Sequence, residues 1–496
     1  MEYELLFMAQ DSAEPKYHSE DLVRDLRLDI LFDVMSGGDR AINDACNAVM
    51  THPLTDIEPI LARSAVVMDA IAHDGAFAEL FKISCEAVES VRAYLEIASP
   101  RYDRIIPNKK KIITETEIAA LNIKHLYRFK AVLARYSTGF SSDAMRGLCH
   151  TVDKLFENLG LARTESRVQQ LGALKSVDGL AVEGHIGEGL KQKDVLLSDL
   201  SEPAFRRKRR PGADEVILLL SSTALIQNAE EIIESALAPV FRAIARFNRA
   251  IQRFFEKLRF QTGFFVGCVT LRRRLDVMNV PLCYPRYSAD CREYAGRFLV
   301  DASLALKESR MPMANGFCFT GKKQVVITGP NQGGKTTFLR SVGLAQVMAQ
   351  CGMFVAAQEY ICPLFSGVFT HFPSTEDDRL KMGLLEVELH KLKGIVGAIK
   401  LGGLLLMNDS FQSTMPLDAK RLANEIISAL VDAGVMVLFV THLYAYAVDL
   451  YGQRKLDALL LRAQRGQDGM NTYEIREGAP FKSASGLELF RELICL

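Results

Sequence analysis

The stretch ITGPNQGGKTTFLR, residues 327–340, decides the fold of the C-terminal part of the chain. It carries the pattern G-x-x-x-x-G-K-[ST] from Gly329 to Thr336, directly after the apolar run KKQVVITG and directly before a helical pattern. Glycines at these positions let backbone N–H groups approach phosphates at the start of a helix, where the helix dipole also favours anions. A strand, a glycine-rich loop and a helix in this order predict a phosphate-binding P-loop.

The P-loop pattern also assigns roles to individual residues. Lys335 is predicted to neutralise the β- and γ-phosphates of a nucleotide, and the hydroxyl of Thr336 is predicted to bind Mg²⁺. The predicted ligands are therefore ATP and Mg²⁺. The residues expected to contact the nucleotide in this loop are Gly329, Pro330, Asn331, Gln332, Gly333, Gly334, Lys335, Thr336 and Thr337. A glycine-rich turn without a ligand is the alternative, and the flanking strand and helix argue against it.

The pattern on either side of the loop predicts two kinds of architecture. Short β-rich runs at 322–329, 402–408 and 435–442 alternate with helical segments, which is typical of an α/β domain with parallel strands. Upstream, apolar residues recur at steps of three and four, which is typical of helices. We therefore predict a mainly α-helical domain over residues 1–290 and an α/β domain over residues 291–496.

Composition and charge limit the function classes. Of 496 residues, 49% are hydrophobic and 24% are charged, as in a soluble globular protein. Lys plus Arg equals Asp plus Glu at 60 each, so no global positive field attracts nucleic acid or an anionic membrane. The N-terminus has no signal-peptide pattern, and no uncharged apolar run reaches the roughly 18 residues that span a bilayer. We expect a soluble cytoplasmic protein without a membrane partner.

A long helix is predicted around residues 237–258. Its apolar positions alternate steps of three and four, which is typical of a helix packed along its length on another helix: Leu237, Val240, Ile244, Phe247, Ile251, Phe254 and Leu258. The opposite face carries Arg242, Arg246, Arg249 and Arg253. A solvated face is the favoured interpretation of these arginines over a DNA-binding stripe.

A loop or small strand insertion is predicted near 186–222, where glycines and prolines interrupt the helical pattern. It contains FRRKRR, residues 205–210, the densest positive charge of the chain. Two interpretations stay open, because such a run is more often solvated but is also suited to DNA phosphates. The residues that would contact DNA are Arg206, Arg207, Lys208, Arg209 and Arg210.

Beyond the generic loop pattern, GPNQGGKTT resembles the GPNMGGKST loop of the DNA mismatch-repair MutS family. Later stretches resemble that family's ATPase domain in the same order: CGMFVAAQEYICPLFSGVFTHF (351–372), EDDRLKMGLLEVELHKL (376–392), GLLLMNDSFQST (403–414) and FVTHLYAYA (439–447). Upstream, residues 53–71 resemble the start of the family's helical core, and residues 312–317 resemble the segment before the ATPase strand.

The resemblance implies an ATPase domain of the ABC type, attached to a helical lever or clamp. It implies a homodimer with composite nucleotide sites, in which ATP-driven closure binds or remodels DNA in repair or recombination. Phe254 with Glu256 matches the family's mismatch-reading Phe-x-Glu wedge, but this pair lies inside the predicted long helix, where a packing residue plus a surface charge is the favoured interpretation. We therefore expect a short MutS-like ATPase lacking the N-terminal mismatch-recognition domain.

By the same resemblance, Asn408 and Asp409 stand where the family has Asp-Glu, the first holding the Mg²⁺ water shell and the second orienting the attacking water. An amide brings no negative charge, so metal affinity should fall. Asp409 and His442 are the predicted catalytic residues, and Thr336 with Asp409 are the predicted metal ligands. Asn408 is expected beside the nucleotide.

Three further positions take their roles from the resemblance. Gln358 falls at the family's Q-loop, Gly383 at the serine that reaches the partner subunit's γ-phosphate, and Glu388 at an acidic position of the same signature, for which a surface charge is the alternative. We expect an ATPase with slow turnover. The alternative is a nucleotide-switched protein-binding scaffold with negligible ATPase and no DNA substrate.

Overall fold

The computed structural model describes residues 3–7, 19–98, 107–175, 181–186, 192–199, 223–288, 293–373, 383–453, 455–466 and 470–480. The helices are α1 Ser19–Leu26, α2 Leu28–Ser36, α3 Arg40–Met50, α4 Ile57–Ala72, α5 Asp74–Ala98, α6 Asn108–Tyr136, α7 Asp143–Leu159, α8 Leu161–Gly172, α9 Thr223–Val277, α10 Ala302–Glu308, α11 Lys335–Gln350, α12 Leu384–Ala398, α13 Pro416–Asp432 and α14 Tyr444–Gln453. The strands are β1 Ala181–Ile186, β2 Gln192–Asp199, β3 Arg286–Tyr287, β4 Ala295–Leu299, β5 Asn315–Cys318, β6 Gln324–Thr328, β7 Glu359–Cys362, β8 Val368–His371, β9 Leu404–Asn408, β10 Met436–Val440, β11 Ala458–Arg465 and β12 Asn471–Glu477.

Contacts divide the chain into two compact units, which we call the helical unit and the α/β unit. The helical unit contains Met1–Tyr3, Gly75–Phe140 and Met145–Thr262. The α/β unit contains Glu4–Asp74, Ser141–Ala144 and Gly263–Leu496. The sequence pattern does not predict that the first helices group with the C-terminal strands. The domain boundary at residue 290 stays a prediction.

The helical unit is built on α9, and the predicted apolar seam is buried there. Leu237, Ile244, Ile251, Phe254 and Leu258 are buried, and Val240 and Phe247 are half-buried. Arg242, Arg246, Arg249 and Arg253 are all exposed, which agrees with the solvated face favoured above. The amphipathic pattern therefore predicts the orientation of this helix correctly.

The core of the helical unit is aromatic around Phe254, the phenylalanine of the Phe254 and Glu256 pair. The ring of Phe254 packs edge-on against Phe129, with centroids 5.6 Å apart, and against Tyr3 at 5.5 Å. Glu256 is exposed. Phe254 is thus a packing residue, and the interpretation of this pair as core plus surface charge is confirmed.

The predicted insertion contains an antiparallel strand pair. Val182 of β1 lies opposite Leu197 of β2, with register shifts on either side. The basic run at 206–210 lies outside the described residues.

The α/β unit holds a six-stranded sheet in the order β12-β11-β6-β10-β9-β8. Neighbouring strands from β11 to β8 are parallel, and β12 joins the edge antiparallel to β11. The three β-rich runs of the sequence correspond to β6, β9 and β10, so parallel strands are confirmed. The antiparallel edge strand is not predicted by them, which makes the sheet mixed.

A second, four-stranded sheet has the order β3-β7-β4-β5. Strands β3 and β7 are parallel, whereas β4 is antiparallel to both β5 and β7. The C-terminal part of the chain therefore contains two mixed sheets rather than one parallel sheet.

Close packing fixes the helix that follows the glycine-rich loop. A Cβ atom on Gly343 of α11 would lie 2.5 Å from Leu406 of β9 and 2.8 Å from Leu26 of α1. Arg340 of the same helix donates through Nε to the carbonyl of Asp25, at 3.0 Å. Helix α11 is therefore held between the sheet and the first helix of the chain. Among the described helices, none is long and apolar enough to cross a membrane.

Candidate functional site

The glycine-rich loop connects β6 to α11 at the carboxyl edge of the six-stranded sheet. Gly329 has φ +140° and Gly334 has φ +87°, both in the region that favours glycine. A Cβ on Gly329 would lie 2.8 Å from the Cβ of Ala463, and one on Gly333 would lie 3.0 Å from the same atom. Since Ala463 belongs to the neighbouring strand β11, the loop needs glycine both for its dihedral angles and for its close approach.

Lys335, the first residue of α11, is buried and points back into the loop. Its Nζ donates to the carbonyl of Gly329 at 3.0 Å and to the carbonyl of Pro330 at 2.8 Å. Burial lowers the pKa of Lys335, and the nearby Asp409 carboxylate opposes that shift. The loop thus surrounds one cationic side chain with its own carbonyl oxygens.

Thr336 connects the loop to the end of β9. Its hydroxyl donates to Oδ1 of Asn408 at 2.9 Å, although β10 lies between β6 and β9 in the sheet. Asn408 is buried. The amide that replaces the expected aspartate therefore faces the predicted metal-binding hydroxyl.

Asp409 and His442 lie at the ends of neighbouring strands. The backbone N–H of Asp409 donates to the carbonyl of Val440 at 2.9 Å, and Asp409 adopts φ +48°. Its Oδ1 is buried without a hydrogen-bond partner and lies 3.6 Å from Nε2 of His442. The structure thus brings the two predicted catalytic side chains together.

Burial dominates the electrostatics of this pair. It raises the pKa of Asp409, while His442, Lys335 and a hydrogen bond from Gln412 all oppose the rise. Burial also lowers the pKa of His442, which Asp409 opposes. Both shifts favour the neutral forms, so mutual attraction does not outweigh the loss of hydration.

Glu388 lies on α12 and is buried, which excludes the surface-charge alternative. Its Oε1 accepts from the backbone N–H of Phe411 at 3.1 Å, and its Oε2 accepts from the hydroxyl of Ser413 at 2.7 Å. Glu388 therefore contacts the turn after β9 within its own chain. Gly383, immediately before α12, is exposed, and a Cβ added there would meet nothing within 4 Å.

Gln358 occupies a different part of the α/β unit. It is exposed, and its backbone N–H donates to the carbonyl of Arg297 at 2.9 Å. It directly precedes β7, a strand of the four-stranded sheet, whereas the glycine-rich loop follows a strand of the six-stranded sheet. The structure thus gives this residue no hydrogen bond to the loop among its described contacts.

A cavity of about 460 Å³ opens beside the loop. It is lined by loop residues from Gln332 to Thr337 and by Met311, Met313, Asn315 and Tyr473. The amide of Asn315 donates to the carbonyl of Tyr473 at 3.1 Å, and its Oδ1 accepts from the N–H of Ile475 at 2.8 Å. The size and mixed lining suit a small-molecule ligand. Sequence reasoning missed Tyr473, because nothing in the local pattern around β12 places that strand beside the loop.

The predicted magnesium ligands fit the ion in part. Thr336 supplies a hydroxyl, and Asp409 supplies a carboxylate oxygen without a hydrogen-bond partner, both of which are hard oxygen donors. Asn408 between them adds an amide without charge. Within the described residues, no group of three or more His, Cys, Asp or Glu side chains could hold a metal ion. Any Mg²⁺ here would depend on ligand phosphates and water as well as on protein.

Comparison with known proteins adds two family matches and several relatives. Residues 55–278 match the model of the MutS2 N-terminal domain, and residues 325–492 match the model of MutS domain V. The DNA mismatch repair protein MutS of Thermotoga petrophila is 28% identical over 208 residues, 40% of this chain and 26% of that protein. The protein of the same name from Geobacillus kaustophilus is 25% identical over 298 residues, 57% of this chain and 32% of that protein. The aligned part thus spans a third or less of these relatives.

Fold and site together define a protein with a helical N-terminal part and a C-terminal α/β part, in which the glycine-rich loop after β6 meets the ends of β9 and β10 at one sheet edge. The matches add the family. The chain belongs to the MutS family, and the two matching models lie on its helical and α/β parts.

Proposed function

We propose that this chain is a MutS-like ATPase that binds ATP at the glycine-rich loop, hydrolyses it slowly, and couples nucleotide binding to DNA. One observation carries the proposal. Lys335, Thr336, Asn408, Asp409 and His442 converge at the carboxyl edge of one sheet, through the contact of Thr336 with Asn408 and the approach of Asp409 to His442. Ligands bind outside this edge in open α/β sheets.

Lys335 would exchange its two carbonyl partners for phosphate oxygens, and the N–H groups at the start of α11 would add further donors. The cavity beside the loop would hold the rest of the nucleotide, with Met311, Met313 and Tyr473 offering surface to a base. The site thus suits a ligand with a polyphosphate at one end and an aromatic group at the other.

Thr336 and Asp409 would hold Mg²⁺, which when bound supplies positive charge to the phosphates of the nucleotide. Asp409 would also orient the attacking water, because its buried Oδ1 has no hydrogen-bond partner of its own. His442, with its pKa lowered by burial, would stand beside that water in the neutral form at neutral pH. One carboxylate then serves two tasks, which is the reason we propose slow turnover.

By the family to which the chain belongs, we propose a homodimer with DNA as the partner. In such a dimer, the exposed Gly383 at the start of α12 would offer a backbone N–H to the second nucleotide site. Any DNA contact by residues 206–210 is part of this proposal.

A second candidate function is favoured by Asn408. Because the amide brings no charge to the Thr336 hydroxyl, metal-assisted hydrolysis could be negligible while nucleotide binding persists. The chain would then be a nucleotide-switched scaffold for a protein partner.

Steady-state ATP hydrolysis with and without DNA distinguishes the two candidates. We expect slow turnover in the wild type, loss of turnover in Lys335→Ala through loss of binding, and loss of turnover with retained binding in Asp409→Ala. Unchanged turnover in Asp409→Ala would exclude it as the water-positioning group. Binding without turnover in the wild type would favour the scaffold.

DNA binding is tested across a salt series, with the five basic residues of 206–210 replaced by Ala. If they neutralise phosphates, the logarithmic salt slope of the affinity becomes shallower by up to about 0.9 for each phosphate that the variant no longer neutralises. An unchanged slope would exclude these residues as phosphate-binding groups.

A further inference from the structure

The turn between β9 and α13 holds two non-glycine residues, Asp409 and Phe411, in the left-handed backbone region. Asp409 has φ +48° and Phe411 has φ +69°, and neither is glycine. Residues of this kind persist in the left-handed region when surrounding groups over-determine the local structure.

Side chains from α12 and β8 contact the turn between β9 and α13. Glu388 accepts from the N–H of Phe411 at 3.1 Å and from the hydroxyl of Ser413 at 2.7 Å. On the side of β8, Nδ1 of His371 lies 2.6 Å from the hydroxyl of Ser410. The ring of Phe411 is fully buried and belongs to the core cluster that includes Leu392 and Ile395 of α12. Helix α12 therefore supports the turn at two points, the backbone N–H of Phe411 and the aromatic ring of Phe411.

The carboxylate of Asp409 is less firmly held by its own contacts. Its Oδ1 has no hydrogen-bond partner and lies 3.6 Å from Nε2 of His442, and the hydrogen bond to the carboxylate comes from Gln412 of the same turn. Glu388, Asp409, Gln412 and Ser413 together line a cavity of about 210 Å³. The direction in which Asp409 points thus depends on the conformation of the backbone between Asp409 and Ser413.

We propose that Glu388 is a positioning residue for Asp409: its two hydrogen bonds fix the 409–413 turn and so set the place of the Asp409 carboxylate beside Lys335 and His442. This inference rests on the proposed role of Asp409 in hydrolysis. It assigns Glu388 a task within its own chain, distinct from the partner-facing role that the sequence predicts. A carboxylate suits the task because charge-assisted acceptors bind N–H and O–H donors more strongly than neutral ones.

The test compares Glu388→Gln with Glu386→Gln, which replaces an exposed glutamate on the same helix. Glutamine keeps the size of the side chain but is neutral and accepts through one oxygen alone, so the contacts lose their charged acceptor and the Ser413 hydroxyl keeps a contact only by accepting from the amide. We expect amide hydrogen exchange of residues 409–414 to become about 10-fold faster in Glu388→Gln, because the loss of one charge-assisted hydrogen bond lowers the free energy of local opening by a matching amount. The exchange rate should stay unchanged in Glu386→Gln. Affinity for a fluorescent ATP analogue should change less than about 2-fold, while single-turnover hydrolysis should fall about 10-fold.

Ser413→Ala is the second variant, since it removes one donor and leaves Glu388 in place. It should shift exchange and hydrolysis in the same direction as Glu388→Gln, and the double variant should add little to either single change. Equal exchange in Glu388→Gln and Glu386→Gln would overturn the proposal, as would faster exchange throughout the α/β unit or unchanged hydrolysis. A wild type without turnover would refute the proposed hydrolysis, and the exchange comparison would still decide whether Glu388 holds the turn.

Discussion

Two connections at the same sheet edge, the loop after β6 and the turn after β9, reach unusual backbone conformations by different means. The loop has Gly329 at φ +140°, Gly334 at +87° and the non-glycine Gln332 at +58°, and its Lys335 is bound by the loop's own carbonyls. The turn uses Asp409 and Phe411 at positive φ, and it is supported by side chains from α12 and β8. The first geometry is encoded locally, whereas the second depends on residues distant in sequence.

This difference separates the expected effects of substitution. Changes in the loop should act on nucleotide binding, because the loop residues provide the phosphate contacts in the proposed site. Changes in or around the turn should act on chemistry and stability, because the turn carries a buried carboxylate whose support comes from elsewhere. Each prediction below tests that separation.

The largest effect is expected for Lys335→Ala. Loss of the ammonium group removes charge-assisted contacts to phosphate, which should lower affinity for an ATP analogue by about 3 kcal/mol, or more than 100-fold. Fluorescence titration measures the affinity, and Lys400→Ala, at an exposed lysine, is the matched control. An affinity within about 3-fold of the wild type would mean that the loop is not the phosphate site.

An intermediate effect is expected for Asn408→Asp. The new carboxylate would face the Thr336 hydroxyl and restore the negative charge that favours Mg²⁺. The ratio of ATP affinity in Mg²⁺ to that in EDTA should rise about 10-fold, which corresponds to about 1.4 kcal/mol. Asn424→Asp, on the exposed face of α13, should leave the ratio unchanged. Equal ratios in both variants would contradict a metal site at Asn408.

The smallest effect is expected for Asp409→Asn, measured as stability. Burial raises the folded-state pKa of Asp409 above its unfolded value. The contribution of Asp409 to the free energy of unfolding is therefore fully present below the unfolded pKa and is lost as pH rises through the folded pKa. Asparagine stays neutral at every pH. The variant should therefore be more stable than the wild type at pH 7, by about 1 kcal/mol, and the gain should shrink toward pH 3.

Thermal unfolding of both proteins at several pH values measures this gain. Asp44→Asn is the control, because Asp44 is exposed and its partner Arg40 is 3.9 Å away. An exposed ion pair of this kind contributes little to the free energy of unfolding. A gain that is constant across this pH range would show that the Asp409 charge is not the cause.

Local patterns are sufficient for much of the fold. The runs at 322–329, 402–408 and 435–442 contain β6, β9 and β10 within two residues at each end, because each strand is mostly apolar and buried at every position. The apolar seam at 237–258 lies inside α9. It is predicted correctly because one buried stripe along the helix sets the spacing of its apolar residues. The glycine-rich loop is identified by its pattern alone.

Long-range packing cannot be predicted in the same way. Nothing around residues 19–26 indicates that Leu26 packs on Gly343, and nothing around β11 indicates that Ala463 requires two glycines in the loop. The resemblance assigns Glu388 to a signature shared between subunits, whereas its observed hydrogen bonds go to Phe411 and Ser413. Such contacts depend on three-dimensional neighbours, which periodicity does not encode.

The bonds from Lys335 to the carbonyls of Gly329 and Pro330 would make the proposed nucleotide binding a replacement reaction. The two carbonyl oxygens compete with an incoming anion for the ammonium group of Lys335. A weakly basic anion or a single small phosphate gains little by displacing two well-placed carbonyls, whereas a polyphosphate that also fills the adjacent cavity gains both sets of contacts. In the proposed site, the loop would therefore discriminate among anions through the two carbonyl contacts that Lys335 loses, before any contact to the base is made.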